Sequence, residues 1–385
     1  MSDAEWQRRH IPALDGIRGI AILAVVLFHS TRHLEGGWQI VGNCGWMGVD
    51  LFFVLSSFLI TGILLDARAA PSRLYYGGFF GRRVLRIAPA FVVFMVALAG
   101  APALTGQSTA DHVLLIEHQA WYWTFLTNAL VASFGWGAVI PQTAPLWSLA
   151  VEEQFYLVWP PVVRRLSARG ILRLGLTLIV LVGVARIVLA RQGVDMNTLY
   201  VSMPTRADLL AWGAVLAALI RLPNGLAIIR RFLWPALLGA SLVLFVVVVQ
   251  FRSTYFATSK MVMAGYPAIA VVAACMVAIA IVYNPAALRF SWLTGIGKVS
   301  YALYLWHVTA IGVLLRLLGH VGPWLIPLAL AFSLLPTLLS WYFIEQPALS
   351  LTRFAPMRPE ARDELVPNGA MPAEDLSTAF AETET

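Results

Sequence analysis

The stretch LDGIRGIAILAVVLFHS at residues 14–30 decides the fold class of this chain. It is apolar over nearly its whole length, which is typical of a membrane-spanning helix, but it contains Arg18 and His29. The eleven steps between them advance an α-helix by about 16 Å and about three full turns, so both side chains lie on one face. An imidazole about halfway across the hydrocarbon is unfavourable unless it faces a polar cavity within the protein. The pair therefore predicts an internal polar site, with a cation at the membrane edge and a proton acceptor at mid-depth.

Arg18 and His29 also have a purely structural interpretation. His29 would then form a hydrogen bond between helices, while Arg18 would extend its charged end from the membrane edge into water. The pair alone does not decide between the two interpretations. Further polar residues in the apolar segments favour the functional one.

The composition is that of a polytopic membrane protein. Hydrophobic residues make up 59% of the 385 residues and charged residues only 12%, against about 25% in soluble domains. The net charge of +7 comes from arginines between apolar segments, which indicates membrane topology and not nucleic-acid binding. Cys44 and Cys275 lack the spacing of a metal or redox motif, so no metal site is expected.

The apolar segments predict an all-α fold with about ten membrane spans, both termini lying in the cytoplasm. The spans cover residues 16–33, 47–66, 86–106, 145–163, 173–191, 207–221, 232–250, 264–283, 299–317 and 324–343. This arrangement places 20 of the 27 Lys/Arg on the cytoplasmic side, as the positive-inside rule requires. The basic residues on the opposite side are Arg32, Arg186, Arg191, Arg206, Arg252, Lys260 and Arg316. We therefore expect a multi-pass protein of the cytoplasmic (inner) membrane.

Two segments fall outside the pattern of spans. Residues 121–134, WYWTFLTNALVASF, are amphipathic and aromatic, which favours an interfacial or re-entrant helix. An eleventh span there would invert the topology of everything that follows. Residues 351–385 are rich in Pro, Ala and Gly and carry only acidic charge after Arg362, so we expect a disordered cytoplasmic tail. The membrane domain is then expected to cover residues 1–350.

Carboxylates occur within the second and fourth predicted spans. Asp50 lies near the outer end of the second span, and Glu152 and Glu153 lie about mid-membrane in the fourth. Adjacent residues of a helix point about 100° apart, so at most one of the two glutamates is expected to face a given cavity. Ser148 lies one turn before Glu152 on the same face. Glu152 is therefore the stronger candidate for a functional carboxylate.

Polar residues continue into the later spans. His307 lies in the ninth span, together with Tyr301 and Tyr304. Asp208 and Glu345 lie close to span ends, where a structural hydrogen bond is the expected role. A purely structural role for every one of these intramembrane polar groups is not expected.

The segment FFGRRVLRIAPAF at residues 79–91 carries three arginines at the cytoplasmic start of the third span. Arg83 and Arg86 are three residues apart and can project from one side of a helical turn. Their planar guanidinium groups suit the oxygen atoms of a phosphate. Simple anchoring at the membrane surface is an equally good explanation of these residues alone. Because Arg18 lies on the same side, we favour a ligand that carries phosphate.

In these motifs the chain resembles the acyltransferase-3 family of integral membrane O-acyltransferases, over about residues 10–350. The motifs, in order, are Arg18 with His29, GVDLFF at 48–53, Arg83 with Arg86, WSLAVEEQFY at 147–156, SYALYLWH at 300–307 and IEQP at 344–347. Ser57 stands where the family typically has glycine. It is expected to add a side chain to a tight contact between helices.

The resemblance implies transfer of an acyl group, commonly acetyl, from cytoplasmic acyl-CoA to a hydroxyl group of a sugar or another acceptor. Acyl-CoA (acetyl-CoA) would be a co-substrate, and no permanently bound cofactor is implied. Arg83, Arg86 and Arg18 are then expected to hold the phosphate groups of coenzyme A. His29 is expected to act as general base on the acceptor hydroxyl or as a transient acyl carrier. Glu152 would orient or stabilise its imidazole.

The remaining polar residues have supporting roles in this interpretation. Tyr301, Tyr304 and His307 are candidates for the acceptor pocket or for stabilising an oxyanion. Asp50 and Ser148 are candidates for binding substrate or supporting the site.

Other functions remain open at this point. A proton-coupled transporter would also place His, Glu and Asp in mid-membrane, but it would typically show an internal repeat, which the sequence lacks. A lipid-binding or sensory protein would need no donor site. For a transferase, the acceptor could be a polysaccharide precursor, a lipid-linked sugar or a non-sugar secondary metabolite.

Overall fold

The computed structural model describes residues 11–34, 42–105, 110–250, 255–318 and 322–357. Within these ranges the chain forms helices joined by short turns, and it contains no β-strand. The predicted all-α fold is confirmed.

Ten helices of the described residues correspond to the ten predicted spans. They are α1 (Pro12–Thr31), α2 (Met47–Asp66), α3 (Gly78–Thr105), α4 (Leu146–Arg165), α5 (Ala168–Arg191), α6 (Met203–Leu219), α7 (Gly225–Phe245), α8 (Tyr266–Tyr283), α9 (Ser300–Leu318) and α10 (Leu325–Ser340). Short helices lie between them or after them, at Ala110–Glu117, Gln119–Trp123, Thr127–Phe134, Met196–Val201, Ser291–Lys298 and Gln346–Ser350.

Eight helical segments in the described part of the chain are long and apolar enough to cross a membrane. The two helices outside this set are α4 and α6. Helix α4 has 20 residues but carries Glu152, Glu153, Arg164 and Arg165. Helix α6 has 17 residues, slightly fewer than the about 20 that cross the hydrocarbon. Most residues of α6 are buried, so neighbouring helices cover its polar groups.

Helices α1, α2 and α6 form the centre of the bundle. Helix α2 packs against α1 and α6, and α5 packs against the other side of α6. Close approach depends on glycine, because a Cβ atom on Gly48 would collide with the Ala21 carbonyl oxygen and one on Gly213 with that of Val54. Ser57 lies at the second contact, where its hydroxyl donates to the Leu210 carbonyl oxygen. The tight helix contact expected at Ser57 is therefore present.

Residues 121–134 do not form one continuous helix. They fall in the helices Gln119–Trp123 and Thr127–Phe134, of 5 and 8 residues, with Phe125 between them at a φ of 53°. A helix of eight residues is about 12 Å long, which is too short to cross the hydrocarbon. The segment therefore has the short helical form expected of an interfacial or re-entrant element.

The start of the predicted tail packs against the membrane domain. Residues Leu351–Phe354 form a 3₁₀ turn, and the Met357 side chain is buried. The Arg82 Nε donates to the Ala355 carbonyl oxygen at 2.8 Å, joining this segment to the start of α3. Residues 358–385, to which most of the disorder prediction applies, lie outside the described residues.

Candidate functional site

Two cavities meet inside the helix bundle. The arginine cavity, of about 110 Å³, is lined by Arg18, Val49, Phe52, Phe53, Ser56, Arg83, Arg86, Ile87, Ser148, Leu149, Glu152, Tyr156, Ser300, Tyr301 and Tyr304. The histidine cavity, of about 690 Å³, contains His29 in its wall. The two cavities share Val49 and Tyr304 as lining residues. They are therefore adjacent, with these two side chains between them.

The arginine cavity brings together the three arginines that the sequence analysis selected. Arg18 comes from α1, and Arg83 and Arg86 come from consecutive turns of α3. The Arg83 guanidinium lies over the Tyr156 ring, 4.4 Å from its centroid, so its plane is held by a cation–π contact. Arg82 instead is exposed and points toward Ala355. The spacing of the arginines on the helix thus selects the two that face the interior.

Glu152 supplies a carboxylate to the arginine cavity. Ser56 donates to its Oε1 at 2.7 Å, and Tyr156 donates to its Oε2 at 2.8 Å. Glu153 points elsewhere, as expected for adjacent residues of a helix. Three guanidinium groups and one carboxylate therefore line the cavity, and Asp15 lies behind Arg18, with 3.6 Å between its Oδ1 and the Arg18 Nη1.

The structure does not bring the Glu152 carboxylate into hydrogen-bond contact with the His29 imidazole. Glu152 was expected to orient the His29 imidazole, but the two side chains form no hydrogen bond, and the bonds of Glu152 go to Ser56 and Tyr156. The His29 Nδ1 lies 3.2 Å from the Nε2 of His307 and 3.0 Å from the Val25 carbonyl oxygen. The physical reason is that the two side chains line different cavities: Glu152 lines the arginine cavity and His29 lines the histidine cavity.

His307 lies next to His29 and outside the lining of both cavities. Its side chain is completely buried, and it lines neither cavity. The Nδ1 of His307 lies 3.1 Å from the carbonyl oxygen of Leu303 and 2.8 Å from that of Tyr304, both on its own helix. The side chain therefore lies behind the wall of the histidine cavity, in contact with His29, and its role in acceptor binding stays a prediction.

Tyr304 and Ser148 hold the boundary between the cavities. The Tyr304 hydroxyl donates to the Pro145 carbonyl oxygen at 2.7 Å and lies 2.6 Å from the Ser148 Oγ. These bonds join α9 to the start of α4. The two residues therefore fix the position of one helix against another at the boundary.

Tyr301 and Glu345 lie beside the arginines. The Tyr301 side chain lines the arginine cavity, and its hydroxyl donates to the Ile87 carbonyl oxygen of α3 at 3.0 Å. Glu345 is buried at the end of a π-helical turn, Trp341–Glu345, and interacts electrostatically with Arg86. The Tyr301 hydrogen bond thus joins α9 to the part of α3 that presents Arg86, and Glu345 places a carboxylate near the Arg86 charge.

Asp50 belongs to a buried ion pair and not to a cavity. Its Oδ1 accepts from the Arg206 guanidinium, and neither side chain is exposed. The neighbouring Arg186 Nη2 lies 2.7 Å from the Asp208 Oδ2, again fully buried. Buried pairs of this kind are strongly destabilising to break, because one charge is left without a partner. Asp50 therefore supports the fold next to the site and does not line either cavity.

Aromatic side chains form much of the wall of the histidine cavity. Tyr200 stacks on Phe256 with ring centroids 4.1 Å apart, and Trp147 lies 4.5 Å from Tyr200. Trp46 packs edge-on against Tyr200 at 5.8 Å. Gln142 adds an amide whose Oε1 is buried without a partner in the described residues. Sequence reasoning missed this cluster, because its members come from separate elements and follow no common motif.

Basic groups lie on the histidine cavity where α1 and α9 end. Arg32 and Arg316 are exposed lining residues, and Asp111 is the only carboxylate among the described lining residues. Partial burial and the adjacent charge of Arg32 lower the pKa of the His33 imidazole, so His33 adds little charge at neutral pH. The mouth of the cavity therefore carries a small excess of positive charge.

Two residues of the arginine cavity were missed although the sequence contained a signal for one. Tyr156 lies four residues after Glu152, the spacing at which helical side chains meet, and within the same motif. Ser56 comes from α2, and only the packing of α2 against α4 brings it to Glu152.

Comparison with known proteins gives the family. The sequence profile described as an acyltransferase domain, the acyltransferase-3 profile, matches residues 11–345. The chain belongs to the acyltransferase-3 family. The resemblance drawn from the six motifs is thus confirmed over nearly the whole membrane domain.

Several relatives have names that state an activity. Peptidoglycan O-acetyltransferase OatA of Listeria monocytogenes is 30% identical over 363 residues, which cover 89% of this chain and 56% of that protein. YrhL of Bacillus subtilis, provisionally named as a peptidoglycan O-acetyltransferase, is 32% identical over 365 residues, 88% of this chain and 55% of that protein. The chain thus spans a little over half the length of these relatives. No solved structure matches it.

Proposed function

We propose that the protein is a membrane O-acetyltransferase that moves an acetyl group from acetyl-CoA to a hydroxyl group of a cell-envelope saccharide. The observation that carries the proposal is the adjacency of the two cavities, one lined by three arginines and the other by His29. Membership of the family favours a transferase over the proton-coupled transporter considered above. The names of the relatives point to peptidoglycan as the acceptor to test first.

The arginine cavity suits the donor. Its guanidinium groups face the cytoplasm if the positive-inside orientation holds, and coenzyme A carries phosphate groups that guanidinium groups bind well. A volume of about 110 Å³ is too small for the whole donor, so the nucleotide would lie at the mouth. Only the slender thioester arm would enter and reach toward Tyr304 and Val49.

The histidine cavity suits the acceptor. Its volume of about 690 Å³ is in the range of small-molecule sites, and its aromatic walls offer flat faces to the apolar sides of a sugar ring. Gln142 and His29 supply polar groups at the same surface. A saccharide hydroxyl could therefore approach His29 from the side opposite to the donor.

The reaction follows from these positions. His29 takes the proton of the acceptor hydroxyl at its Nε2 while the hydroxyl oxygen attacks the carbonyl carbon of the acetyl thioester. The tetrahedral intermediate collapses, the carbon–sulfur bond breaks, and the thiolate of coenzyme A takes the proton back from the imidazolium. The products are the O-acetylated saccharide and free coenzyme A, and His29 returns to its starting state.

Release of coenzyme A from acetyl-CoA by the purified protein in detergent, with soluble peptidoglycan fragments as acceptor, tests the proposal. We expect His29→Ala to lower acceptor-dependent release at least about a hundredfold, since general base catalysis contributes about 10²–10⁴-fold. The matched control is His112→Ala, because His112 binds the Ala99 carbonyl oxygen and lines neither cavity.

Two results would contradict the proposal. A His29→Ala protein with native transfer would remove His29 as the base. Release of coenzyme A that depends on a non-sugar alcohol, and not on peptidoglycan fragments, would contradict the saccharide acceptor but not the transferase activity.

A further inference from the structure

The protonation of His307 can be read from its hydrogen bonds. Its Nδ1 faces two carbonyl oxygens, those of Leu303 at 3.1 Å and Tyr304 at 2.8 Å. A carbonyl oxygen only accepts, so the Nδ1 of His307 must carry the hydrogen. In a neutral imidazole the other nitrogen, Nε2, then has a free lone pair.

The Nε2 lone pair of His307 points at His29. It lies 3.2 Å from the His29 Nδ1, which also lies 3.0 Å from the Val25 carbonyl oxygen. Both neighbours of the His29 Nδ1 are therefore acceptors, and the His29 Nδ1 must carry a hydrogen as well. The opposite tautomer of His29 would place its lone pair against both of them.

The remaining nitrogen of His29 is then the base. Its Nε2 has no hydrogen-bond partner among the described residues, and His29 lines the histidine cavity. With the hydrogen on Nδ1, the Nε2 carries the lone pair that a general base requires. The two rings cross at 69° with centroids 4.8 Å apart, so the packing of His307 also fixes the plane of the His29 ring.

We propose that His307 is a positioning residue that sets the tautomer of His29 through the chain from the Leu303 and Tyr304 carbonyls to His307 and then to His29. This inference rests on the proposed function, in which His29 is the base. When His29 accepts a proton at Nε2, its Nδ1–H becomes a stronger donor to His307. His307 thus has the place that a carboxylate has in many catalytic triads, and it brings no second charge into the membrane interior.

Three substitutions of His307 separate positioning from packing. In His307→Gln the side-chain amide oxygen can occupy the place of Nε2 and accept from His29, whereas in His307→Asn the shorter amide reaches only the place of Nδ1. His307→Phe keeps the ring volume without any acceptor. We expect His307→Gln to keep kcat within about threefold and the other two to lose about ten- to a hundredfold, with the KM for acetyl-CoA unchanged.

A structural role predicts a different order. If His307 only filled space, His307→Phe would be the best of the three and His307→Asn the worst. Native kcat in His307→Phe, or equal loss in His307→Gln and His307→Asn, would overturn the proposal. The Gln and Asn pair keeps the test valid if the Phe variant does not fold.

A spectroscopic measurement separates this inference from the proposed function, because it needs no substrate. In protein labelled with ¹⁵N-histidine, we expect the His29 signals, identified by their loss in His29→Ala, to show one tautomer with hydrogen on Nδ1. In His307→Phe the His29 signals should show a mixture of tautomers. In His307→Gln they should show the single tautomer of the wild-type protein. A mixture of His29 tautomers in the wild-type protein would overturn the positioning role of His307. A single tautomer in a protein that transfers no acetyl group would overturn only the proposed function.

Discussion

At the scale of single residues, the arginines of α3 show how a helix divides one basic segment between two tasks. Arg83 and Arg86 enter the arginine cavity, whereas Arg82 is exposed and bonds to Ala355. The position of Arg82 is consistent with the anchoring interpretation, and the position of the other two leaves the ligand interpretation open to test. The three residues can be tested separately.

We predict that Arg83→Ala and Arg86→Ala each weaken the binding of coenzyme A about ten- to a hundredfold. A charge-assisted hydrogen bond to phosphate contributes about 1.5–3 kcal/mol, and this contribution is lost with the guanidinium. Binding of coenzyme A and dephospho-coenzyme A to the detergent-solubilised protein, measured by calorimetry, checks the prediction. Arg82→Ala is the matched control and should bind as the wild type does. If all three variants bound coenzyme A as tightly as the wild type does, membrane anchoring would be the only role left for the segment.

The residue-level predictions from sequence succeeded where one helix determines the geometry. The shared face of Arg18 and His29, the pair Arg83 and Arg86, and the outward turn of one of two adjacent glutamates all follow from helical periodicity. The partner of His29 did not follow, because it is 278 residues away and is set by the packing of α9 against α1. The ion partner of Asp50 did not follow either, since it comes from α6.

At the scale of helices, the boundary between the cavities is made by α2 on one side and α9 on the other. Val49 of α2 is 6% exposed, and Tyr304 of α9 is held by Ser148 and Pro145. A donor arm that enters through the arginine cavity must pass these side chains to bring its thioester to His29. In the proposed reaction, the passage would therefore have to widen during each turnover.

We predict that larger side chains at position 49 block transfer without weakening donor binding. In the series Val49→Ala, Val49→Leu and Val49→Phe, kcat should fall with size, by roughly ten- to a hundredfold for Phe, since overpacking adds about 1–3 kcal/mol to the widened state. Turnover of acetyl-CoA and binding of coenzyme A, measured on the same samples, check this. Ile63→Phe is the control on the same helix, because Ile63 is 47% exposed to the surroundings. Loss of coenzyme A binding in parallel with kcat would instead indicate general damage to the fold.

Helix number was predictable from sequence, and the exact form of two helices was not. The predicted spans coincide with all ten helices, because a membrane span needs an apolar segment of about 20 residues and such segments stand out in the sequence. Helices α4 and α6 depart from that rule because α4 carries four charged residues and α6 has only 17 residues, most of them buried by neighbouring helices. The break at Phe125 within residues 121–134 was not visible in the amphipathic pattern either, since it depends on one residue with a positive φ.

At the scale of the whole molecule, the structure shows which of the arginines counted for the orientation are exposed. Arg186 and Arg206 were counted on the outer side, but both are buried in ion pairs inside the bundle. The exposed basic charge on that side is therefore smaller than the sequence count suggests. The loop after α2 and the end of α4 keep Arg68, Arg73 and Arg165 on the other side.

We predict that both termini lie in the cytoplasm and that the segment before α8 lies outside. Ten crossings return the chain to the side on which it began, and seven crossings precede Lys260, so a reporter fused after residue 260 should be active only in the external compartment. A reporter after residue 357 should be active only in the cytoplasm, as should one placed between α4 and α5. Paired alkaline phosphatase and green fluorescent protein fusions give opposite signals on the two sides and control for expression. An external tail would require the residues between α3 and α4 to cross the membrane, although the helices there that contain residues 121–134 have only 5 and 8 residues.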